Sequence, residues 1–386
     1  MNNFKLSLES KIQLSLSNNF GVENYDEYRF GKLNVSHEQK VSIVKKIKRK
    51  IKKIIGFKKV EIERQNIENM NNEAESIQKA LDSMNQNYGD KLQQVFDMLN
   101  IENQKLLVNI IAYRILGYKK VKLPLNNRKY WEAIDIGNSL VDKNETYNPH
   151  FLHFILEKCD LKKIGYDIQL YFSAVGVVID FIIEQYAYKS DNKTIVEVEK
   201  GDNVLDLGAC WGDTALYFAT KTGELGRVYS FEFIPDNIKL FNKNIALNPT
   251  LKNQIELVKH PVSNKSEIKI YFKDNGPSSR IEFEPFDEQN GFTTTLSIDD
   301  FVVRYKILKV DFIKMDIEGS EPLALEGAIE TIKRFKPKLA IAIYHSMDDL
   351  VNIPNWINDL NLGYKLYLGH YTIHAEETVL FAKVEK

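Results

Sequence analysis

After Lys193, short apolar runs alternate along the chain with amphipathic segments. Short runs rich in β-branched residues predict buried strands, and apolar residues that recur every three or four positions predict helices. The predicted strands are 203–208, 227–232, 255–258, 267–272, 312–316, 338–344, 364–368 and 378–384. The predicted helices are 211–221, 235–246, 322–334 and 348–360. This alternation predicts an α/β fold with a Rossmann-like, doubly wound sheet, whose ligands bind at the carboxyl ends of the strands.

The first half of the chain predicts a helical extension to this sheet. Apolar residues recur at helical spacing over 90–116, which indicates two helices with a break near Asn100. Residues 156–188 contain a further apolar stretch that predicts helix, whereas residues 1–38 are polar and predict a loosely structured tail. We therefore divide the chain into a polar tail with a basic amphipathic helix at 1–64, a helical extension at 65–190 and an α/β domain at 191–386.

The composition restricts the class of protein. The chain has 386 residues, of which 44% are hydrophobic, and this is enough apolar material for a sizeable core. The longest run without a charged side chain is 12 residues, whereas a membrane-spanning helix needs about 20. Charged residues at Lys5 and Glu9 stand where a secretory signal would be apolar. The two cysteines, Cys159 and Cys210, exclude a disulfide framework, and we expect a cytoplasmic protein.

Charge is balanced overall, with a net value of −1, but it is not balanced locally. Residues 40–60 contain ten Lys and Arg residues and no acid, and their apolar residues fall on one helical stripe. A basic amphipathic helix fits an anionic membrane surface, so we expect peripheral contact with the inner face of a membrane. The same run is also compatible with nucleic acid or with a solvated linker packed on acidic parts of the protein.

The most informative motif joins the first strand of the α/β region to its following helix. The glycines Gly208 and Gly212 let the backbone turn tightly, but their spacing lacks the third glycine of a dinucleotide site. Asp206 precedes them and would repel a pyrophosphate, whereas Glu232 ends the next strand, where an acid can accept hydrogen bonds from ribose hydroxyls. Together these features predict binding of S-adenosylmethionine. The predicted cofactor-binding residues are Asp206, Gly208, Ala209, Cys210, Trp211, Gly212, Asp213, Thr214, Glu232, Phe233 and Asp316.

Candidate catalytic residues follow the fourth and fifth parallel strands. Asp316, Glu318 and Glu321 place three carboxylates within six residues, where they can act as a base or bind Mg²⁺ with acceptor hydroxyls. Glu318 and Glu321 can instead stabilise the start of the next helix. His345 follows the fifth strand and can serve as a general base near neutral pH, or bond to the turn beside it. We predict catalytic roles for Asp316, Glu318 and His345.

Several motifs, taken in order, resemble the FkbM-type S-adenosylmethionine-dependent methyltransferases. They are VLDLGACWGDTALYFA from Val204, VYSFEFIPDNIKLFNKNI from Val228, TLSIDDF from Thr295, DFIKMDIEGSEPLALEGA from Asp311, AIYHS from Ala342 and ETVLFA from Glu377. The resemblance covers roughly residues 160–386. It implies a class I methyltransferase fold and O-methylation of a hydroxyl on a sugar or other polar metabolite, often in glycan biosynthesis. It does not identify the acceptor.

Three other functions remain open at this point. The basic run suggests a nucleic-acid methyltransferase, but the chain lacks a Pro-Pro-aromatic element after the fourth strand and a Pro-Cys nucleophile. A cofactor-binding scaffold without catalysis, tethered by the basic helix, is the second. A nicotinamide-dependent oxidoreductase is the third and is disfavoured by the missing glycine. We expect the helical extension to shape the acceptor pocket, to form an oligomer or to dock the protein at a membrane.

Overall fold

A computed structural model describes residues 3–33, 59–277 and 279–385 of the chain. Only the last two residues of the predicted basic helix at 40–60 fall within these ranges, and the rest of that prediction lies outside them. The described residues form two compact units. One comprises the described part of Met1–Gln93 with Val108–Leu123, and the other comprises Gln94–Leu107 with Pro124–Lys386. Within these ranges, no helix has both the length and the hydropathy that a membrane span requires.

The helices of the first 120 residues agree with one prediction and correct another. They are α1 Asn3–Ser15, α2 Glu27–Phe30, α3 Lys59–Met98 and α4 Ile101–Leu116. The predicted break near Asn100 is confirmed, and the Asn100 side chain accepts a hydrogen bond from the backbone N–H of Asn103 (2.9 Å). The prediction of a loosely structured tail is wrong for α1. Phe4, Leu8 and Ile12 recur every four residues and are buried, so this short polar segment has one apolar face.

The second unit contains a seven-stranded sheet. Its strands are β6 Asn203–Leu207, β7 Arg227–Phe231, β8 Ile255–Val258, β12 Phe312–Met315, β13 Lys338–Ala342, β14 Tyr364–His370 and β15 Thr378–Val384. Their order is β14-β15-β13-β12-β6-β7-β8. The strands from β13 to β8 are parallel, whereas β15 pairs antiparallel with both β13 and β14. The predicted doubly wound α/β sheet is confirmed, and its strand order reverses between β6 and β12, where ligands of such sheets bind.

The helices beside this sheet were predicted less completely than its strands. They are α7 Asp213–Thr222, α8 Pro235–Ala246, α9 Ile298–Arg304, α10 Glu321–Glu326, α11 Ile329–Phe335 and α12 Met347–Asp359. The single helix predicted at 322–334 is wrong, because Gly327 separates α10 from α11. A Cβ atom at Gly327 would lie 2.2 Å from the carbonyl oxygen of Ser263. Helix α9 was missed, although Ser297 caps it by accepting a hydrogen bond from the Asp300 N–H (3.2 Å).

The segment predicted as a helical extension also contains strands. They are β1 Val141–Tyr147, β2 Leu156–Asp160, β3 Gln169–Phe172, β4 Tyr188–Ser190 and β5 Lys193–Val196. The first three form an antiparallel sheet, so the helical stretch predicted within 156–188 is confirmed only at its second half, over 174–183. Short apolar runs fit both the helical and the strand spacing of apolar residues. Here hydrogen bonding between the three strands determines that the segment is a sheet. Helices occur at α5 Arg128–Asn138, α6 Ala174–Val177 and a π-helical turn Val178–Ile183.

The predicted strand at 267–272 belongs to an insertion outside the main sheet. It corresponds to β9 Lys269–Lys273, which pairs antiparallel with both β10 Arg280–Glu282 and β11 Gly291–Thr294. The insertion contacts the end of β7 through a perpendicular ring pair of Phe233 and Phe272, whose centroids are 5.5 Å apart. The small sheet therefore stands beside the carboxyl edge of the main sheet.

Two buried asparagines, Asn244 in α8 and Asn248 just after this helix, bind the backbone of β3 as a neighbouring strand would. The Asn248 side chain accepts from the Gln169 N–H (2.9 Å) and donates to the Gln169 carbonyl (2.7 Å). The Asn244 side chain makes the same pair of bonds with Tyr171, at 2.7 and 3.2 Å. Asn244 also donates to the carbonyl of Trp211 (2.9 Å). Because Asn244 and Asn248 are one helical turn apart, they match alternate residues of the strand.

We predict that Asn244→Ala lowers the free energy of unfolding by about 2–3 kcal/mol, because it leaves buried backbone groups without partners. Asn242→Ala is the matched control, since Asn242 is exposed on the same helix. Urea denaturation of both variants measures the difference. Equal stability of the two variants would contradict a structural role for the asparagine pair.

Candidate active site

The glycine turn between β6 and α7 lies against the end of β12. Gly208 and Gly212 adopt φ values of +83° and +87°, in the left-handed region that favours glycine. The N–H groups of Gly208 and Ala209 donate to the Phe231 carbonyl at the end of β7 (3.1 and 3.0 Å). A Cβ atom at Gly208 would lie 1.9 Å from the carbonyl oxygen of Asp316. The turn therefore needs glycine because two adjacent strand ends meet there.

Asp206 connects three elements beneath this turn. Its carboxylate is fully buried and accepts hydrogen bonds from Thr214 Oγ1 (3.0 Å) on α7 and Ser230 Oγ (3.1 Å) on β7. Lys314 Nζ of β12 lies 3.4 Å from the same carboxylate. Asp206 and Thr214, both predicted to bind the cofactor, thus bind each other, and these contacts hold the turn in place from below.

Lys314 is a site residue that the sequence prediction missed. Its buried ammonium donates to the carbonyls of Gly208 (2.6 Å) and Leu207 (3.2 Å). Burial alone would lower the pKa of Lys314, but the carboxylates of Asp206 and Asp316 raise it above its ordinary value. The lysine is therefore charged at neutral pH. A signal was available, because Lys314 is the one charged residue within an otherwise apolar strand.

Glu232 follows β7 and points to the start of α8. One carboxylate oxygen accepts from the N–H groups of Phe233 (2.6 Å) and Ile234 (2.8 Å), and the other accepts from the amide of Asn237 (3.0 Å). Burial raises the pKa of Glu232 to about 7, although these hydrogen bonds oppose the shift. Trp211 Nε1 donates to the same Asn237 (3.1 Å), so the glycine turn and Glu232 share a partner.

A second buried acid stands beside Asp213, the first residue of α7. Asp180 of the π-helical turn approaches it, and burial together with Asp213 raises the pKa of Asp180 well above its usual range. Burial also raises the pKa of Asp213. Both carboxyl groups are therefore harder to ionise than an exposed aspartate. Burial raises the pKa of the Cys210 thiol well above its usual value, so this thiol is poorly suited to act as a nucleophile.

The carboxylate of Asp316 is held by two tyrosines. Tyr186 donates to Oδ2 (3.1 Å) and Tyr344 donates to Oδ1 (3.2 Å). His345 Nε2 lies 3.5 Å from Oδ1. Neither tyrosine was predicted as a site residue, because a lone tyrosine near a strand end is most often a core residue and carries no motif.

His345 lies between carboxylates on both sides of its ring. Its Nδ1 is 3.4 Å from Glu321 Oε1, and its Nε2 is 3.7 Å from Glu318 Oε2. Burial alone would lower the pKa of His345, but Glu321, Asp316 and Glu318 raise it to about 10. The ring is therefore an imidazolium at neutral pH, and it cannot accept a proton in that form. The predicted role of His345 as the base requires that it first lose this proton.

The loop between β12 and α10 brings the predicted carboxylates together. Glu318 has a φ value of +57° and a side chain that is 43% exposed. Glu321 is fully buried at the start of α10, and its Oε1 accepts from the Ile317 N–H (2.7 Å). The structure thus brings the predicted residues Asp316 and Glu318 to one ring nitrogen of His345, and it places Glu321 at the other ring nitrogen.

Comparison with known proteins identifies the region that contains this site. Residues 198–366 match the family described as the methyltransferase FkbM domain. A search of curated proteins found no match. The matched segment includes the glycine turn, Glu232, Asp316 and His345, whereas Asp180 and Tyr186 lie upstream of it. The resemblance that the sequence motifs predicted is confirmed for this segment.

Several solved structures are similar to this chain. The FkbM methyltransferase from Methylobacillus flagellatus is 19% identical, with a TM-score of 0.48, and the match covers 78% of this chain. This chain spans 61% of the length of that protein. Aeropyrum pernix fibrillarin with bound S-adenosylmethionine is 13% identical, with a TM-score of 0.32, over 59% of this chain and 89% of its own. Precorrin-6y C5,15-methyltransferase from Geobacter metallireducens is 10% identical, with a TM-score of 0.32, over 59% and 96%.

We predict that Gly208→Ala destabilises the protein much more than Gly223→Ala. Both residues have positive φ, but nothing lies within 4 Å of a Cβ at Gly223. Gly223→Ala should therefore cost only the backbone strain, about 1–2 kcal/mol, whereas Gly208→Ala adds a clash between two strand ends. Urea denaturation of both variants gives the comparison, and equal losses would contradict the close approach at Asp316.

Proposed function

Since residues 198–366 match the methyltransferase FkbM domain, we propose that this protein is an S-adenosylmethionine-dependent O-methyltransferase. We propose as its acceptor a hydroxyl group of a sugar or glycan-related polar metabolite. The observation that carries the proposal is the glycine turn at β6, with Glu232 and Asp316 on the two neighbouring strand ends. A cytoplasmic location, with peripheral membrane contact through the basic residues 40–60, belongs to the same proposal.

The residues at the carboxyl edge of the sheet fit this cofactor. Gly208 has no side chain, so a ligand can approach the backbone of the turn closely. Glu232 offers a carboxylate that can accept hydrogen bonds from ribose hydroxyls. Asp316 and Glu318 add carboxylates to this edge, which suits a ligand with a sulfonium and an ammonium group. When bound, S-adenosylmethionine supplies an electrophilic methyl group.

The chain's own residues divide the remaining tasks between alignment and proton removal. Alignment of reacting groups can contribute about 7–11 kcal/mol, and the hydrogen bonds from Tyr186 and Tyr344 fix Asp316 for this purpose. An alcohol has a pKa far above 7, so a base adds a factor of about 10²–10⁴. Of the candidates, His345 is protonated at neutral pH, and the oxygens of Asp316 already accept hydrogen bonds. We therefore assign the base to Glu318, whose carboxylate is partly exposed.

The first test is calorimetric titration with S-adenosylhomocysteine. We expect micromolar binding to the wild-type protein and about 10–100-fold weaker binding to Glu232→Ala, as for the loss of a charged hydrogen-bond acceptor. Glu224→Ala is the control, because Glu224 is exposed at the far end of α7. Binding of NAD in place of S-adenosylhomocysteine would overturn the proposal and favour the oxidoreductase.

Cofactor affinity should depend on pH through Glu232. Burial raises its pKa to about 7 in the free protein, so below this pH the group is a neutral acid and above it a carboxylate. The carboxylate is the better acceptor for ribose hydroxyls, so affinity should rise with pH, by up to about tenfold per unit below pH 7, and then level off. Glu232→Gln should bind weakly with no such slope. A slope that persists in Glu232→Gln would assign the titration to another group.

Methyl transfer should depend on Glu318 once an acceptor is found by screening sugars for release of S-adenosylhomocysteine. We expect Glu318→Gln to lose about 10²–10⁴ in kcat and to keep its affinity for S-adenosylhomocysteine. Glu326→Gln, an exposed change on α10, is the matched control. An unchanged kcat in Glu318→Gln would exclude this residue as the base.

A further inference from the structure

Three potential metal ligands converge beside Glu318 from separate elements. Asp316 follows β12, Glu321 begins α10 and His345 follows β13. One ligand atom from each of these side chains lies within 4.8 Å of the other two. The elements that carry them belong to the sheet and to a helix packed on it, so the three side chains are held on a rigid frame.

The hydrogen bonds within this cluster are incomplete. Glu321 has no exposed surface, and its Oε2 has no hydrogen-bond partner. Both ring nitrogens of His345 are also buried without a hydrogen-bond partner, although carboxylates lie within 4 Å of each. The distances of 3.4 and 3.5 Å from the ring to Glu321 and Asp316 exceed the 2.7–2.9 Å of a charge-assisted hydrogen bond. A buried carboxylate oxygen without a partner is costly, and a bound cation would remove that cost.

We propose that Asp316, Glu321 and one ring nitrogen of His345 bind a divalent transition-metal ion, which displaces the proton that this ring carries in the free protein and releases it to solvent. Two carboxylate oxygens alone would suit Mg²⁺, but the imidazole nitrogen favours Mn²⁺, Co²⁺ or Zn²⁺. Three protein ligands leave coordination positions for water or for acceptor hydroxyl oxygens. The use of those positions by an acceptor rests on the proposed methyl transfer, whereas the binding of the ion does not. In this arrangement Glu318 stays outside the ligand set and keeps its role as the base.

The test is titration of the chelator-treated full-length protein with MnCl₂, followed by electron paramagnetic resonance of the free ion. We expect one Mn²⁺ per chain, and binding at least about tenfold weaker in His345→Ala and Glu321→Gln. Glu321→Gln keeps an oxygen that can accept from the Ile317 N–H, so the loop retains its hydrogen bond. Glu326→Gln should bind Mn²⁺ as the wild type does.

A second readout identifies the nitrogen ligand. Electron spin echo of bound Mn²⁺ should show coupling to ¹⁴N in the wild type, and this coupling should vanish in His345→Ala. A site made by surface carboxylates would show no such coupling and would overturn the proposal. The proposal also fails if neither Mn²⁺ nor Zn²⁺ binds stoichiometrically, or if Glu318→Gln loses the ion while Glu321→Gln keeps it.

Titration with S-adenosylhomocysteine separates this inference from the proposed function. Cofactor binding without metal binding would refute the metal site and leave the methyltransferase proposal intact. Metal binding without cofactor binding would refute the methyltransferase proposal and leave the metal site intact, because the Mn²⁺ titration contains no cofactor. The two ligands are measured on the same protein preparations, so loss of fold in a variant would appear in both titrations.

Discussion

The buried ion pair of Lys314 and Asp206 is the interaction on which the candidate site depends. The lysine comes from β12 and the aspartate from β6, the two strands between which the sheet changes direction. The lysine also donates to the two carbonyls at the start of the glycine turn, and the aspartate binds the first turn of α7 and β7. One charged pair thus sets the positions of four elements. Removal of either partner would leave the other charge buried and alone, which is a large penalty.

Much of the fold could be predicted from the sequence, because most of its strands carry their signal in a few consecutive residues. The strands of the main sheet are buried on both faces and read as short apolar runs, so their predicted bounds agree with the structure within two residues. The wrong predictions lie where contacts between separate segments determine the secondary structure. Residues 156–172 form strands because they pair with each other, and Gly327 divides a helix because another backbone approaches it. Neither contact is visible in a pattern of single residues.

The site could be predicted only in part, for a related reason. Asp316, Glu318 and His345 stand at strand ends, and sheet topology alone brings them together. Lys314, Tyr186 and Asp180 lie inside a strand or upstream of the predicted domain, and they reach the site through the three-dimensional fold. Charge state was also not predictable. An isolated histidine titrates near neutral pH, but three surrounding carboxylates make His345 a cation.

The pair of Asn244 and Asn248 has a consequence for where the catalytic module begins. Asn244 binds the glycine turn through Trp211 and β3 through Tyr171 with a single amide. A shortened chain starting at residue 191 would keep every matched motif but would expose the edge of α8 from which β3 had been removed. These contacts tie the matched segment to β3, and strand pairing ties β3 to β2 and β1 within the same compact unit. An upstream region exchanged between related proteins would have to present the backbone of β3 to the same two asparagines, which remain downstream of the junction.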